Sequence, residues 1–187
     1  MKSCSKWLCF VWIGLNNVLA EQPNETPFYL EAQEIIYKQN TNTVTAKGNV
    51  HIRQYSPKEK GWRHIYAENL SYQKNLHSIG KISAMGKVWL YEPNGDVWQT
   101  DTLEFTDQFD QGSTMNLKLI TQDQSRLYAL KSDRSGQSTH FEDVGYTPCK
   151  VCLFEHCQPE HSKTPLWQLK AAEVTHDQES QTVTYRH

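Results

Sequence analysis

The sequence predicts an all-β fold of stacked antiparallel strands, and three observations carry that expectation. First, a unit recurs. Residues 32–52 read Ala-Gln-Glu-Ile-Ile-Tyr, a polar turn, then Ala-Lys-Gly-Asn-Val-His-Ile; residues 67–90 repeat the plan as Ala-Glu-Asn-Leu-Ser-Tyr, a turn, and Ala-Met-Gly-Lys-Val-Trp-Leu. In a third copy, Ala171 to His176 aligns without a gap onto Ala32 to Tyr37, and Val183 then falls on Val44. Second, apolar and polar residues alternate with the period of two that marks half-buried strands. Third, turn signals arrive at strand-length intervals, and beyond the first twenty residues no sustained 3.6-residue apolar stripe with helix caps occurs. Hairpins too small to bury their own apolar faces must stack on one another. Function is therefore expected on a long sheet surface and not in a catalytic cleft.

Taken in order, residues 1–20 are expected to be a signal peptide. Lys2 and Lys6 supply a basic start, Trp7 to Leu15 an apolar core, and Val18-Leu19-Ala20 a small-residue cleavage site. The apolar stretch is shorter than the roughly 20 residues that cross a bilayer core. Cys4 and Cys9 lie too early to be a processed lipoprotein cysteine. Cleavage removes two of the 19 basic residues and none of the 21 acids, taking the formal charge from −2 to −4. That balance excludes a phosphate-backbone partner such as nucleic acid, which needs a concentrated basic face. Residues 21–27, polar with two prolines, read as a flexible lead-in.

Strands begin at Phe28. Val44, Ala46, Gly48, Val50 and Ile52 share one face; Thr43, Thr45, Lys47, Asn49 and His51 share the other. The second copy places Ile82, Ala84, Gly86, Val88 and Leu90 on its apolar face. Glycine inside a strand marks a bulge or a close backbone approach, so Gly48 and Gly86 are expected to serve one of those ends. Lys58, Lys60 and Arg63, with Glu59 among them, read as a solvated Pro/Gly loop. Asn94-Gly95 predicts a two-residue hairpin with both central residues at positive φ. Asp110-Gln111-Gly112 and Arg134-Ser135-Gly136 are looser turns, flanking strands at Met115–Leu119 and Leu127–Leu130. The total is roughly ten to twelve strands. Because the apolar positions are often small or aromatic, a twisted roll with a lined interior fits better than a dense sandwich.

Residues 146–187 differ in texture, carrying Cys149, Cys152 and Cys157 within a Pro- and His-containing segment. In an oxidising compartment disulfides are the default use of these thiols, and an odd number leaves one for another partner. Two other readings stand beside it: a metal site built with His156 or His161 at zinc-like spacing, and a redox-active dithiol. His140, His156 and His161 neighbour these thiols in sequence only, and the acids show no spaced catalytic pair; no catalytic residue and no cofactor are expected. His51 and His77 read as outward-facing polar residues. Asn24 and Asn69 sit in glycosylation acceptor triplets, which recur by chance.

The unit Ala-x-x-φ-x-Tyr … Ala-x-Gly-x-Val-x-φ, with φ a large apolar residue, resembles the OstA/LptA-like repeat of lipopolysaccharide transport. Tyr146-Thr147-Pro148-Cys149-Lys150-Val151-Cys152, followed by Trp167-Gln168-Leu169-Lys170-Ala171 and Val174-x-His176-Asp177, resembles the end of the periplasmic domain of the LptD family of outer-membrane lipopolysaccharide-assembly proteins, especially its alphaproteobacterial form. The resemblance covers residues 28–187. It implies a twisted β-jellyroll over 28–145, with an open apolar groove that takes the acyl chains of lipid A, and a Cys-containing segment over 146–187 that starts the linker to a β-barrel. No ladder of barrel strands is present in the sequence, so the chain is expected to be an LptD-type domain cut before its barrel.

The groove residues so implied are Val44, Val50, Ile52, Leu70, Ile82, Val88, Leu90, Leu103 and Phe105; the same side chains could equally fill an ordinary core. A twelve-carbon chain buried there contributes on the order of 9 kcal/mol, at about 0.8 kcal/mol per methylene, before ordering costs. Implied partners are lipopolysaccharide, an LptA-like periplasmic protein docked through an edge strand near Phe28, and an LptE-like lipoprotein only where the barrel exists. The implied location is the periplasm, at the periplasmic face of the outer membrane, with the driving force supplied by a pump elsewhere. Two alternatives are a stand-alone LptA-like adaptor and a secreted metal- or redox-binding module at the cysteine cluster.

Overall fold

The computed structural model describes residues 27–74, 79–151 and 164–187. Residues 1–20, expected to be a signal peptide, nearly all of the lead-in, His77, His156, His161, Cys152 and Cys157 lie outside them. The described residues form eleven strands: β1 (Phe28–Glu31), β2 (Glu34–Lys38), β3 (Thr43–Ser56), β4 (Gly61–Gln73), β5 (Lys81–Tyr91), β6 (Val97–Thr106), β7 (Gln111–Ile120), β8 (Arg126–Ser135), β9 (Ser138–Thr147), β10 (Leu169–Asp177) and β11 (Thr182–Arg186). From β3 to β11 each strand pairs antiparallel with the next. Strands β1 and β2 share one partner: β1 lies against Gln54 to His51, β2 against Lys47 to Thr43. The β1/β2 and β11 edges do not pair with each other, so the sheet is unclosed. All-β stacked antiparallel hairpins are what the repeat and the alternation predicted.

The sequence copies are structural copies. The β2–β3 and β10–β11 hairpins turn through left-handed residues at the same repeat position, Asn42 (φ 46°) and Gln181 (φ 53°). The in-strand glycines also have a reason. Gly48 (φ 72°) lies beneath the side chain of Gln33, whose backbone N–H donates to the Gly48 carbonyl at 2.9 Å. Gly86 (φ 83°) lies beneath Glu68, whose Oε2 would sit 2.6 Å from an added Cβ. Gln33 and Glu68 each follow the repeat's first alanine, so that side chain and its glycine form one packing unit.

These glycines begin a line that crosses the sheet. Left-handed residues occur in every odd strand from β3 to β9: Asn49, Lys87, Asn116 and Asp143. Register shifts accompany the first two, between β3 and β4, β4 and β5, and β5 and β6. Along the same line the inward-facing residues step by three instead of two, from Ala67 to Leu70, Thr100 to Leu103, and Ala129 to Ser132. Bulges bend the strand and increase its twist. Aligned across neighbouring strands, they crease the sheet so that its inner face can cover itself. No helix and no second sheet exists among the described residues to do the covering. One apolar cluster results, running from Ala46 and Val50 on β3 through Leu103 on β6 to Phe141 on β9 and Val174 on β10.

Three sequence expectations are corrected. The Asn94-Gly95 turn is not a two-residue hairpin: Gly95 is at φ 96° but Asn94 is not left-handed. Gly95 N–H donates to Glu92 O at 3.0 Å and Glu92 N–H to Asp96 O at 2.9 Å, centring the turn on Pro93-Asn94. Proline fixes φ near −65°, which suits the first central position of a type I turn and rules out the mirror-image one. Two residues, Gly136-Gln137, instead make the tight hairpin between the paired Ser135 and Ser138, with only Gly136 left-handed (φ 61°). Finally, Arg63 is not in a solvated loop. It lies on β4, 6% exposed, pointing inward with Ile65 and Ala67.

Candidate functional site

Eight of the residues expected to line a groove, Val50, Ile52, Leu70, Ile82, Val88, Leu90, Leu103 and Phe105, are brought together on the inner face, each 3% exposed or less. Val44 sits half-buried at the start of β3. None of the nine borders the molecule's large cavity, which opens at one end of the roll with a volume of about 1300 Å³. Its walls come from the β3–β4, β4–β5, β5–β6, β6–β7, β8–β9 and β10–β11 connections, with Phe28 on β1 and Tyr72 on β4. Phe28, Tyr72, Ile79 and Phe109 supply apolar surface; Arg63, Glu92 and Arg134 supply charge.

Strand parity puts those charges inside. Arg63 continues the inward series of Ile65 and Ala67, Glu92 that of Val88 and Leu90, and Arg134 that of Ser132. Arg63 Nε donates to Glu92 Oε2 at 2.6 Å and Arg63 Nη2 to Glu59 at 3.3 Å, while its guanidinium lies 4.2 Å from the Phe109 ring centre. Arg134 Nη1 stands 3.8 Å from Glu92 Oε1, and its guanidinium lies 5.1 Å from the Trp98 ring and 5.7 Å from Phe105. Glu92 Oε1 is buried with no hydrogen-bond partner among the described residues. Burial pushes the Glu92 carboxyl above its ordinary value against the pull of Arg63 and Arg134. Burial likewise pushes Arg134 down, with Glu92 opposing.

The aspartates of the wall are tied into their own loops. Asp107 accepts from Tyr72 at 3.3 Å and from the Gly80 N–H at 3.1 Å; Asp110 accepts from Thr106 at 2.6 Å; Asp96 accepts from the Gln122 N–H at 2.8 Å. Sequence reasoning missed this cavity because Arg63 and Glu92 border turn-like segments. The available signal, for Arg63 and Glu92, was an ionisable residue at inward parity two positions from Ile65 and Leu90.

The two motifs of the C-terminal segment meet in space. Tyr146 and Trp167 stack edge-on at 6.4 Å, and Thr147 Oγ1 donates to Trp167 O at 2.7 Å while accepting from the Cys149 N–H at 3.1 Å. Cys149 is half-buried, and hydrogen bonds from Thr147 and the Trp167 backbone hold its thiol below the ordinary value. On the outer face, His51 stacks on Tyr66 at 4.4 Å and its Nε2 lies 3.1 Å from His64 Nδ1. Its burial, with His64 adding to it, lowers the His51 pKa.

No protein-family profile and no curated protein matches the chain in sequence. Among solved structures it is similar to LptH of Pseudomonas aeruginosa, the LptA-homologous periplasmic component of that organism's lipopolysaccharide transport device. The match has a TM-score of 0.48 at 11% identity and covers 79% of this chain and 95% of LptH.

Proposed function

We propose that this chain is a passive carrier of amphiphilic lipid in lipopolysaccharide transport, holding acyl chains in the roll while the headgroup stays toward solvent. The observation that carries the reading is an unclosed sheet whose continuous apolar inner layer ends at a cavity walled by both rings and charges. Such a wall suits a molecule with a greasy body and a charged head. Because eight of the nine sequence-designated residues sit deep in the layer, entry is assigned to Phe28, Ile79 and Phe109. Acyl chains would reach the deeper set only as the two halves of the sheet part. Burying twelve methylenes contributes on the order of 9 kcal/mol, which is ample for retention without any covalent step.

The finer assignment, to the LptD type with lipid A as cargo and an LptA-like neighbour, is supported by the Tyr146–Cys149 and Trp167–Ala171 motifs, which pack together. Docking is assigned to the β1/β2 edge, where Ile35, Ile36 and Tyr37 are all exposed on a five-residue strand.

The test is a photoreactive phenylalanine analogue at Phe109, at Leu103 and at outward-facing Tyr128. Lipopolysaccharide labelling at Phe109 and none at Tyr128 is expected. Labelling at Tyr128 alone, or at no position, would refute the carrier reading.

A further inference from the structure

We propose that the cavity end of the roll is a phosphoryl-binding site, with Arg134 as its anchor and Arg63 as its second donor. Among the described residues the Arg134 guanidinium makes no hydrogen bond; its contacts are the 3.8 Å ion pair to Glu92 and the faces of Trp98 and Phe105. Its side chain is nonetheless only 17% exposed. A guanidinium carries five N–H donors in a fixed fork, and the Arg134 nitrogens are not among the buried polar atoms without partners, so the fork has access to the cavity. Contact with ring faces leaves the fork's edge available for an acceptor from the cavity.

Arg63 approaches from a different strand. Its Nε and Nη2 are engaged by Glu92 and Glu59, which fixes the guanidinium against Phe109 and leaves Nη1 unused among the described residues. Both cations lie within 4 Å of the one Glu92 carboxylate, so they converge on a small volume. Glu59 balances Arg63 at 3.3 Å, which leaves Arg134 as the cation without a hydrogen-bonded counter-ion among the described residues. Of the other acids in the wall, Asp107 faces Lys74 at 3.9 Å, and Asp96 and Asp110 are drawn into the turn hydrogen bonds described above. Lys58 adds a cation at the rim. A phosphate, with three or more acceptor oxygens in a tetrahedron, can take the Arg134 fork on one edge and the single free Arg63 nitrogen on another.

The natural occupant rests on the lipid-carrier reading: a phosphorylated lipid headgroup, with a free phosphate ester as the other source of the same chemistry.

The experiment titrates the exported chain, by calorimetry, with dodecyl phosphate, dodecyl glucoside and inorganic phosphate, using wild type, Arg134→Gln and Arg134→Lys. Dodecyl phosphate affinity is expected to fall about tenfold or more in Arg134→Gln and to be partly retained in Arg134→Lys, which keeps the charge without the fork. Dodecyl glucoside affinity is expected to stay unchanged. Inorganic phosphate competing at similar concentration assigns the site to free phosphate; competition only at about a hundredfold higher concentration assigns it to a lipid headgroup. Unchanged dodecyl phosphate binding in Arg134→Gln, or equal losses for both alkyl ligands, overturns the site. Glucoside binding that persists in the first of these cases leaves the carrier reading standing. If neither alkyl ligand binds wild type, the carrier reading falls while the phosphate arm still decides the site. Should Arg134→Gln melt early, Arg63→Gln gives the same readout from the second donor.

Discussion

Replacing Gly48 with alanine tests the link between repeat and fold most directly. Gly48 sits at φ 72°, where an L-residue costs roughly 1–2 kcal/mol. An added Cβ would also fall on Gln33 Oε1, 2.9 Å from Gln33 Cδ and 3.2 Å from Gln33 Cβ. Gln33 must then leave its place over the strand, at a further cost of about 1–2 kcal/mol, typical of overpacking. The sum is about 2–4 kcal/mol. Gly136→Ala is the control, since φ is 61° there but nothing lies within 4 Å of the new Cβ, so only the conformational part of about 1–2 kcal/mol applies. The double variant Gln33→Ala, Gly48→Ala removes the Oε1 and Cδ clashes and should return most of the excess. Urea unfolding monitored by circular dichroism, with the four corners of the Gln33/Gly48 cycle, measures the coupling. A Gly48→Ala cost equal to that of Gly136→Ala, with coupling below about 0.5 kcal/mol, would refute the account of why the repeat carries glycine there.

Leu103→Ala, at a fully buried position where the inner face meets the crease, should cost about 2–5 kcal/mol in the same assay; a loss under about 1 kcal/mol would mean the layer is not sealed. Glu92 has a folded pKa raised above 4.5 by burial, so the folded state keeps a proton that the unfolded chain has lost. Its effect is that stability falls as pH rises from about 4.5 through the raised value. Melts across that window should show wild type declining relative to Glu92→Gln, and a parallel course would contradict the burial. His51 has the opposite sign: its lowered pKa gives stability that is complete above 6.5 and lost as pH falls through the folded value. That slope should flatten in His51→Gln, and an unchanged slope would assign the effect to another group.

What the chain announces unaided is its strand content, the hairpin repeat and the inward series on β3 and β5. Alternation and turn chemistry are local properties, so Val50, Ile52, Val88 and Leu90 were legible as one buried face from their spacing. The crease was half legible. Gly48 and Gly86 mark it in sequence; Asn116 and Asp143 continue it with residues that tolerate left-handed backbone but also occur freely on outer faces. The turn at Glu92 was misread because a strong Asn-Gly signal outweighed the proline before it. Only the tertiary structure decides that Arg63, Glu92 and Arg134 meet. They sit on β4, just beyond β5 and on β8, and what brings them together is the twist and bend accumulated over the bulges between. Curvature of that kind is a sum over many residues, and no single spacing encodes it. The same sum closes the inner layer over eight of the nine apolar residues and leaves the open space at the charged end.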